Sequence, residues 1–216
     1  MSETTSDKIS PGKISPGKIH PGKIVLASGN AGKVREINKL LSEHGINVVP
    51  QTEFGVPEAV EDGLTFVENA LKKARHAAKL TGLPAIADDS GIEVDALNKR
   101  PGIYSARYSG EGATDTKNNQ KMLAELEGVA EENRSARYWC VMVYLENEND
   151  PTPIITQGTL EGRILTAAQG EGGFGYDPIF WLPEQNCAAA ELSLEAKNKI
   201  SHRAIALNAL VEKLTR

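Results

Sequence analysis

The chain has 216 residues, 40% of them apolar and 25% charged, which is enough for one sizeable core and typical of a globular domain. A net charge of −5 argues against a duplex-DNA binder, although a local basic pocket for a small anion fits inside an acidic protein. No apolar run reaches the length of a membrane span, no leader pattern opens the chain, and Cys140 and Cys187 form no CxxC pair. The expectation is a cytoplasmic protein with two buried, reduced thiols and neither membrane nor nucleic-acid partners.

In chain order, Lys8-Ile9-Ser10-Pro11-Gly12 recurs at 13–17 and, altered, at 18–22. Pro-Gly every five residues opposes both helix and sheet, so 1–22 is expected to be a flexible tail and 23–216 the folded domain. Ile24 to Ala27 is a short apolar run expected as a buried strand, followed by a turn at Ser28-Gly29-Asn30-Ala31-Gly32. Val34, Ile37, Leu40 and Leu41 give a helical period that Gly45 ends. A strand is expected at 46–49. Thr65 and Glu68 form a capping box for a helix reaching about Thr81. Pro84 to Ala87 reads as a strand running into Asp88-Asp89-Ser90-Gly91, after which Ile92, Val94 and Ala96 alternate with polar residues. Thr114 or Asp115 caps a helix ending near Gly128, and 138–145 is a strand. Strands at 154–159 and 163–166 around Leu160-Glu161-Gly162 read as a hairpin. Ser201 opens a last helix lined by Ile205, Leu207, Leu210, Val211 and Leu214. Alternating helices and strands with a hairpin-rich middle predict a mixed α/β sheet.

Chemistry can sit at four places. The first turn places backbone N–H groups at a helix start, with Lys33 adding positive charge, where an anion can bind; an ordinary tight turn has the same residues. The Walker pattern fails, because Val34 follows Lys33 and Ala27 stands at the first glycine position. Asp88 and Asp89 follow an apolar strand, and alternation sends their side chains to opposite faces, so one of them enters a given pocket. Carboxylates at a strand end suit Mg²⁺, which takes one or two of them together with phosphate oxygens. Glu58, Glu61 and Asp62 add an acidic loop, alternatively a solvated one.

Gly170-Glu171-Gly172-Gly173-Phe174-Gly175 matches GxGxxG formally, but Pro178 follows closely and no strand–helix context surrounds it. The segment reads instead as a flexible loop bearing Phe174 and Tyr176, where a base can stack for about 1–3 kcal/mol. Ser201-His202-Arg203 at a helix start can hold phosphate or a base edge, or be a capping serine with two exposed neighbours. His76 is expected on an exposed helix face. No GxSxG elbow supports a serine hydrolase built on Ser90 and His202.

In this order the motifs Ser28-Gly29-Asn30-Ala31-Gly32-Lys33, Phe66-Val67-Glu68-Asn69-Ala70 with Lys73-Ala74, Ala87-Asp88-Asp89-Ser90-Gly91, Pro101 to Arg107, Gly172 to Pro178 and Ser201-His202-Arg203 closely resemble the inosine/xanthosine triphosphate pyrophosphatase family. The likeness runs from Lys23 to the C-terminus, and only the repeated tail departs from the pattern. It implies an elongated mixed α/β sheet with flanking helices, two lobes around a central nucleotide-binding cleft, and a homodimer. It further implies a small-molecule substrate, a non-canonical purine triphosphate (ITP, dITP or XTP), cleaved to monophosphate and pyrophosphate with Mg²⁺. By the same resemblance Ser28, Gly29, Asn30, Ala31, Gly32 and Lys33 bind the triphosphate with Lys73 nearby. Asp89 is the general base and a metal carboxylate, with Glu61 the second. Ser90 touches substrate, Phe174, Gly175, Tyr176 and Asp177 frame the base, and Lys197, His202 and Arg203 complete the pocket. The competing reading is a non-catalytic purine nucleotide sensor using the same cleft, which has no need of Asp89 and Glu61 beside a triphosphate. A Nudix-type enzyme is excluded by the missing Glu-rich helix.

Overall fold

The computed structural model describes residues 23–215; the repeats expected as a tail lie outside them. Strand β1 (Ile24–Leu26) is buried at every position and leads to α1 (Ala31–Glu43). Asn30 sets the start of that helix, its side-chain oxygen accepting from the Gly32 and Lys33 amides at 2.9 and 3.0 Å. β2 (Val48–Pro50) follows, then α2 (Phe66–Thr81), opened by the expected capping box at Thr65 and Glu68 and closed by Gly82 in the left-handed region. β3 (Ala85–Val94) is one continuous strand through the acidic pair, and β4 (Pro101–Gly102) pairs with its far end.

Thr114 caps α3 (Asp115–Glu125). The long strands β5 (Ser135–Leu145) and β6 (Ile154–Ile164) come next, then the short β7 (Phe180–Leu182) and β8 (Cys187–Ala188). The chain ends in α4 (Leu194–Ile200) and α5 (His202–Leu214). Eight strands form one sheet in the order β2-β1-β3-β5-β6-β7-β8, with β4 on β3. β1 lies parallel to β2 and β3, and every other pair is antiparallel, so the sheet is mixed as expected.

The hairpin expected around Leu160-Glu161-Gly162 does not form. These residues lie inside β6, paired with Tyr138, Arg137 and Ala136 of β5. Gly162 is there for close approach: a Cβ on it would lie 2.4 Å from the Trp181 carbonyl oxygen of the next strand. Continuous pairing along the whole of β5 satisfies ladder groups that a turn would leave open. α4, β4, β7 and β8, all short, carry no periodic pattern long enough to be expected. His76 is half-buried, with Nε2 3.0 Å from the Pro57 carbonyl oxygen, rather than on an open face. Ile205 is 43% exposed, since α5 turns its other apolar residues to the sheet. Both cysteines are free; Cys140 is buried, while Cys187 on the terminal strand is only half-buried, contrary to the expectation of two buried thiols.

What matters for function is where the apolar cores meet. One cluster joins Ile86, Cys140 and Met142 to α1 and α5, and a second joins Ala85, Ala87, Val141 and Val143 to α2 on the opposite face. A third begins at Ile92 and Val94 and takes in Tyr138, Tyr176 and Phe180. Asp88, Asp89 and Ser90 fall in the gap between the first two clusters and the third. Charge is tolerated mid-strand because cations meet both carboxylates, Lys33 and Arg203 at Asp88 and Lys73 at Asp89. Among the described residues no helix is long and apolar enough to cross a membrane.

Candidate active site

Strand alternation separates the two aspartates as expected. Asp89 shares its face with α2 and meets Lys73, which lies on the buried Ala70, Ala74, Ala77 side of that helix. Lys73 Nζ is 3.1 Å from Asp89 Oδ1 and 3.0 Å from Glu61 Oε1. Arg107 reaches Glu61 from the other side at 3.9 Å. Asp89 Oδ2 is buried and has no hydrogen-bond partner. Burial pushes the Asp89 carboxyl above its usual range; Lys73 and Lys33 oppose this without cancelling it, and Glu61 adds to it. Burial would lower the Lys73 ammonium, but Asp89, Asp88 and Glu61 hold it well above the usual lysine value. Ser28, Gly29, Asn30, Lys33, Glu58, Glu61, Lys73 and Asp89 line one charged compartment. Of the acidic loop, Glu58 and Glu61 reach it, whereas Asp62 pairs with Lys72 in solvent.

Asp88 points the other way and is 1% exposed. It anchors a buried chain of alternating charge. Lys33 is 3.1 Å from Asp88, Arg203 Nε lies 3.6 Å from the same carboxylate, and Arg203 also pairs with Glu36. Glu36 is 3.2 Å from Lys197, which is 2.6 Å from Asp177. Burial would raise the Asp88 carboxyl, but Lys33, then Arg203 and Lys73, hold it well below the usual range. The chain therefore links the first turn, β3, α5, α1, α4 and the Phe174 loop.

This second set of residues surrounds an aromatic compartment lined by Ser90, Phe174, Gly175, Tyr176, Asp177, Lys197, His202 and Arg203, and sharing Asn30 and Lys33 with the first. Lys197 Nζ sits 4.6 Å from the Phe174 ring centre. His202 is buried and stacked on Tyr138 with ring centres 4.7 Å apart. Burial, with Arg203 and Lys197 beside it, pushes its imidazole well below the usual histidine value, so the ring is neutral, and Nδ1 has no partner.

Several placements differ from expectation. Ala31 and Gly32 line neither compartment; Gly32 backs onto the Phe174 ring. The Gly32 and Lys33 amides are already donated to Asn30, so the turn is a capped helix start rather than a row of free N–H groups. Ser201 is a capping serine, accepting from the Ala204 amide at 3.1 Å, but its neighbours His202 and Arg203 are buried, not exposed. The Phe174 loop, read as flexible, is tethered: the Phe174 amide donates to Asp177 Oδ2 at 2.9 Å, and Tyr176 Oη donates to the Ser105 carbonyl at 2.8 Å. Gly173, at φ +75°, could not carry a side chain, because a Cβ would meet Asp177 Oδ2 at 2.1 Å.

Residues given no site role from sequence include Glu36, Tyr138, Ser105, Asp115, Asn118 and Asn119. Glu36 lies one turn before Leu40 on the apolar stripe of α1, and a carboxylate on a buried stripe is a legible sign of a buried partner.

Two unlike compartments set into the seam of a mixed sheet define the class: an α/β protein with a small-molecule site, charged at one end and aromatic at the other. The Ham1 family pattern matches residues 24–213, nearly the whole described chain. The chain is 61% identical over 192 residues to a dITP/XTP pyrophosphatase of Vibrio parahaemolyticus, covering 89% of this chain and 96% of that one. It is also 61% identical over 191 residues to a protein of the same name from Thioalkalivibrio sulfidiphilus, covering 88% and 97%. The solved structure of a HAM1 protein from Coxiella burnetii superimposes with a TM-score of 0.83 at 53% identity, over 89% of this chain and 98% of that one. The chain belongs to the Ham1 family.

Proposed function

We propose that this protein hydrolyses non-canonical purine nucleoside triphosphates of the dITP, ITP and XTP type to the monophosphate and pyrophosphate. The reading takes its reaction from the relatives named dITP/XTP pyrophosphatase and its physical support from one feature of the cleft. Every cation lining the two compartments already faces a carboxylate: Lys33 has Asp88, Lys73 has Asp89 and Glu61, Arg107 has Glu61, Arg203 has Glu36 and Asp88, and Lys197 has Glu36 and Asp177. A triphosphate cannot enter such a site without additional positive charge, since each close pair of like charges costs roughly 4 kcal/mol at an effective dielectric near 20.

The charged compartment fits a divalent cation of the Mg²⁺ kind. Within it Asp89 and Glu61 share one buried ammonium, that of Lys73, and Asp89 Oδ2 has no hydrogen-bond partner. Mg²⁺ takes one or two protein carboxylates beside phosphate oxygens and water, and Asp89 and Glu61 supply two. Asp89 and Glu61 would hold the ion. Its chemistry, when bound, is to neutralise the polyphosphate and the charge that develops on it.

The chain's own residues account for the rest. Asp89, whose Oδ2 is buried and without a partner, is placed to take a proton from the attacking water. Lys73 keeps that carboxylate and Glu61 in a fixed relation. Lys33, at the junction of the two compartments, lies where the α-phosphate joins the nucleoside. Phe174 offers its face to the base. Of the base-edge groups, Arg203 pairs with Glu36 and Ser90 while its Nε, 3.6 Å from Asp88, has no hydrogen-bond partner, and His202 Nδ1 is unpaired too. The base selection that distinguishes a 6-oxygen from adenine's amino group therefore rests on His202 and loop groups as well as on Arg203. A site with buried polar groups rejects a mismatched edge strongly. The resemblance implies a homodimer, a state that sedimentation of the purified chain checks.

The test is pyrophosphate release from dITP, XTP, dGTP and dATP, with Mg²⁺ and with EDTA. Release from dITP and XTP that needs Mg²⁺ and exceeds release from dGTP and dATP is expected. A protein that binds dITP but releases no pyrophosphate under any metal would be a sensor instead.

A further inference from the structure

Helix α3 buries two adjacent asparagines, Asn118 at 3% exposure and Asn119 at 9%, where an amphipathic helix would bury apolar side chains. A buried amide costs free energy unless its groups are paired, and Asn119 Oδ1 has no partner at all. The pairing that does exist points to one place. Asp115 and Asn119 are four residues apart and so share one face of α3. Asp115 Oδ2 accepts from the Gly175 amide at 2.7 Å, and Asn119 Nδ2 donates to the Gly175 carbonyl at 3.0 Å. One helix face grips both sides of a single residue. That residue adopts φ +64°, and it stands between Phe174 and Tyr176.

The neighbouring Asn118 grips the opposite wall. Its Nδ2 is 3.3 Å from the Ser105 and Ala106 carbonyls, and its Oδ1 accepts from the Ser109 amide at 2.8 Å. Tyr176 Oη then closes the gap by donating to the Ser105 carbonyl. α3 thus holds both walls of the aromatic compartment without touching the Lys73–Asp89–Glu61 cluster, and neither Asp115 nor Asn119 lines the charged half.

We infer that Asp115 and Asn119 are positioning residues, which fix the Phe174 ring at the height a purine needs by clamping the Gly175 peptide from α3. The inference rests on the reading of the aromatic compartment as the base site. Truncating either residue removes one tether of the loop and loosens binding of the base while leaving the phosphate end intact.

The experiment compares Asn119→Ala, Asp115→Ala, Asp115→Asn and Phe174→Ala with the parent. Its readouts are kcat and KM for dITP, the inhibition constant of inorganic tripolyphosphate, and the melting temperature. Losing one clamp bond is expected to raise KM for dITP about tenfold, the effect of roughly one hydrogen bond to a charged or buried partner. kcat and the tripolyphosphate constant stay within about twofold, because the reacting groups and the phosphate end keep their geometry. Asp115→Asn keeps an acceptor for the Gly175 amide and restores KM. An unchanged KM in both alanine variants, with Phe174→Ala impaired, overturns the clamp and leaves the base site standing. A KM and a tripolyphosphate constant that rise together with a lowered melting temperature also overturn it, since that pattern is general loosening. If Phe174→Ala itself leaves KM unchanged, the base-site reading falls and takes the clamp with it.

Discussion

Asp88 and Asp89 are neighbours on one strand, yet removing their charges should have opposite effects on stability. Asp88 is completely buried, faces Lys33 and Arg203, and is held well below the usual carboxylate range. A depressed carboxyl stabilises the fold above its unfolded-state value and loses that contribution as pH falls through the folded value, so at neutral pH the contribution is complete. Asp88→Asn removes one partner of a buried pair, a change that costs about 3–5 kcal/mol. The lower end applies, because Arg203 keeps Glu36 and the Lys33 side chain, 16% exposed, can turn toward water. About 3 kcal/mol in a chain of this size lowers the melting temperature by about 6–12 °C. Asp89 is the reverse case. Its carboxyl is raised by burial, so protonation favours the fold and ionisation works against it. In Asp89→Asn, Lys73 still has Glu61 at 3.0 Å. The metal-free Asp89→Asn protein should therefore melt within about 2 °C of the parent, or above it. Scanning calorimetry of both variants in EDTA at neutral pH decides. Equal destabilisation by the two substitutions, or a greater loss from Asp89→Asn, would refute the assignment of opposite environments to the two faces of the strand.

Two further outcomes follow from the same geometry. Lys73→Met removes the ammonium between Asp89 and Glu61, so titration calorimetry should show Mg²⁺ binding about tenfold tighter, an electrostatic gain of roughly 1.4 kcal/mol, while turnover of dITP falls; weaker Mg²⁺ binding would show that the two carboxylates do not hold the ion. His202 is neutral because burial and adjacent cations push its imidazole far down, so kcat/KM measured between about pH 6 and 8 should contain no step near the ordinary histidine value. A step there that disappears in His202→Asn would contradict that environment.

Much of the fold could be read from local signals. The capping box at Thr65 and Glu68, the Thr114 cap and the apolar stripe of α1 are each decided within a few residues, and each formed. The separation of Asp88 from Asp89 was also legible, because period-two alternation needs no tertiary information. The false hairpin shows where local reading stops. Gly162 has the same identity in a turn as in a strand, and only the Trp181 backbone behind it shows which role it has. The candidate site divides the same way. Motifs marked the segments, but the pairing of Glu36 with Arg203 spans 167 residues, and the grip of Asp115 and Asn119 on Gly175 spans about 60. Such contacts come from sheet order and helix placement. One clue was present: Glu36 and Lys73 both sit on buried stripes, where an unpaired charge would be too costly to keep.

The most direct measurement combines binding and single-turnover hydrolysis of dITP by Asp89→Asn in saturating Mg²⁺. If Asp89 takes the proton of the attacking water, the variant keeps nucleotide affinity within about tenfold of the parent and loses turnover by at least about 10²-fold, the range of general base catalysis. Hydrolysis at close to the parental rate, with dITP bound, would contradict the account at its centre.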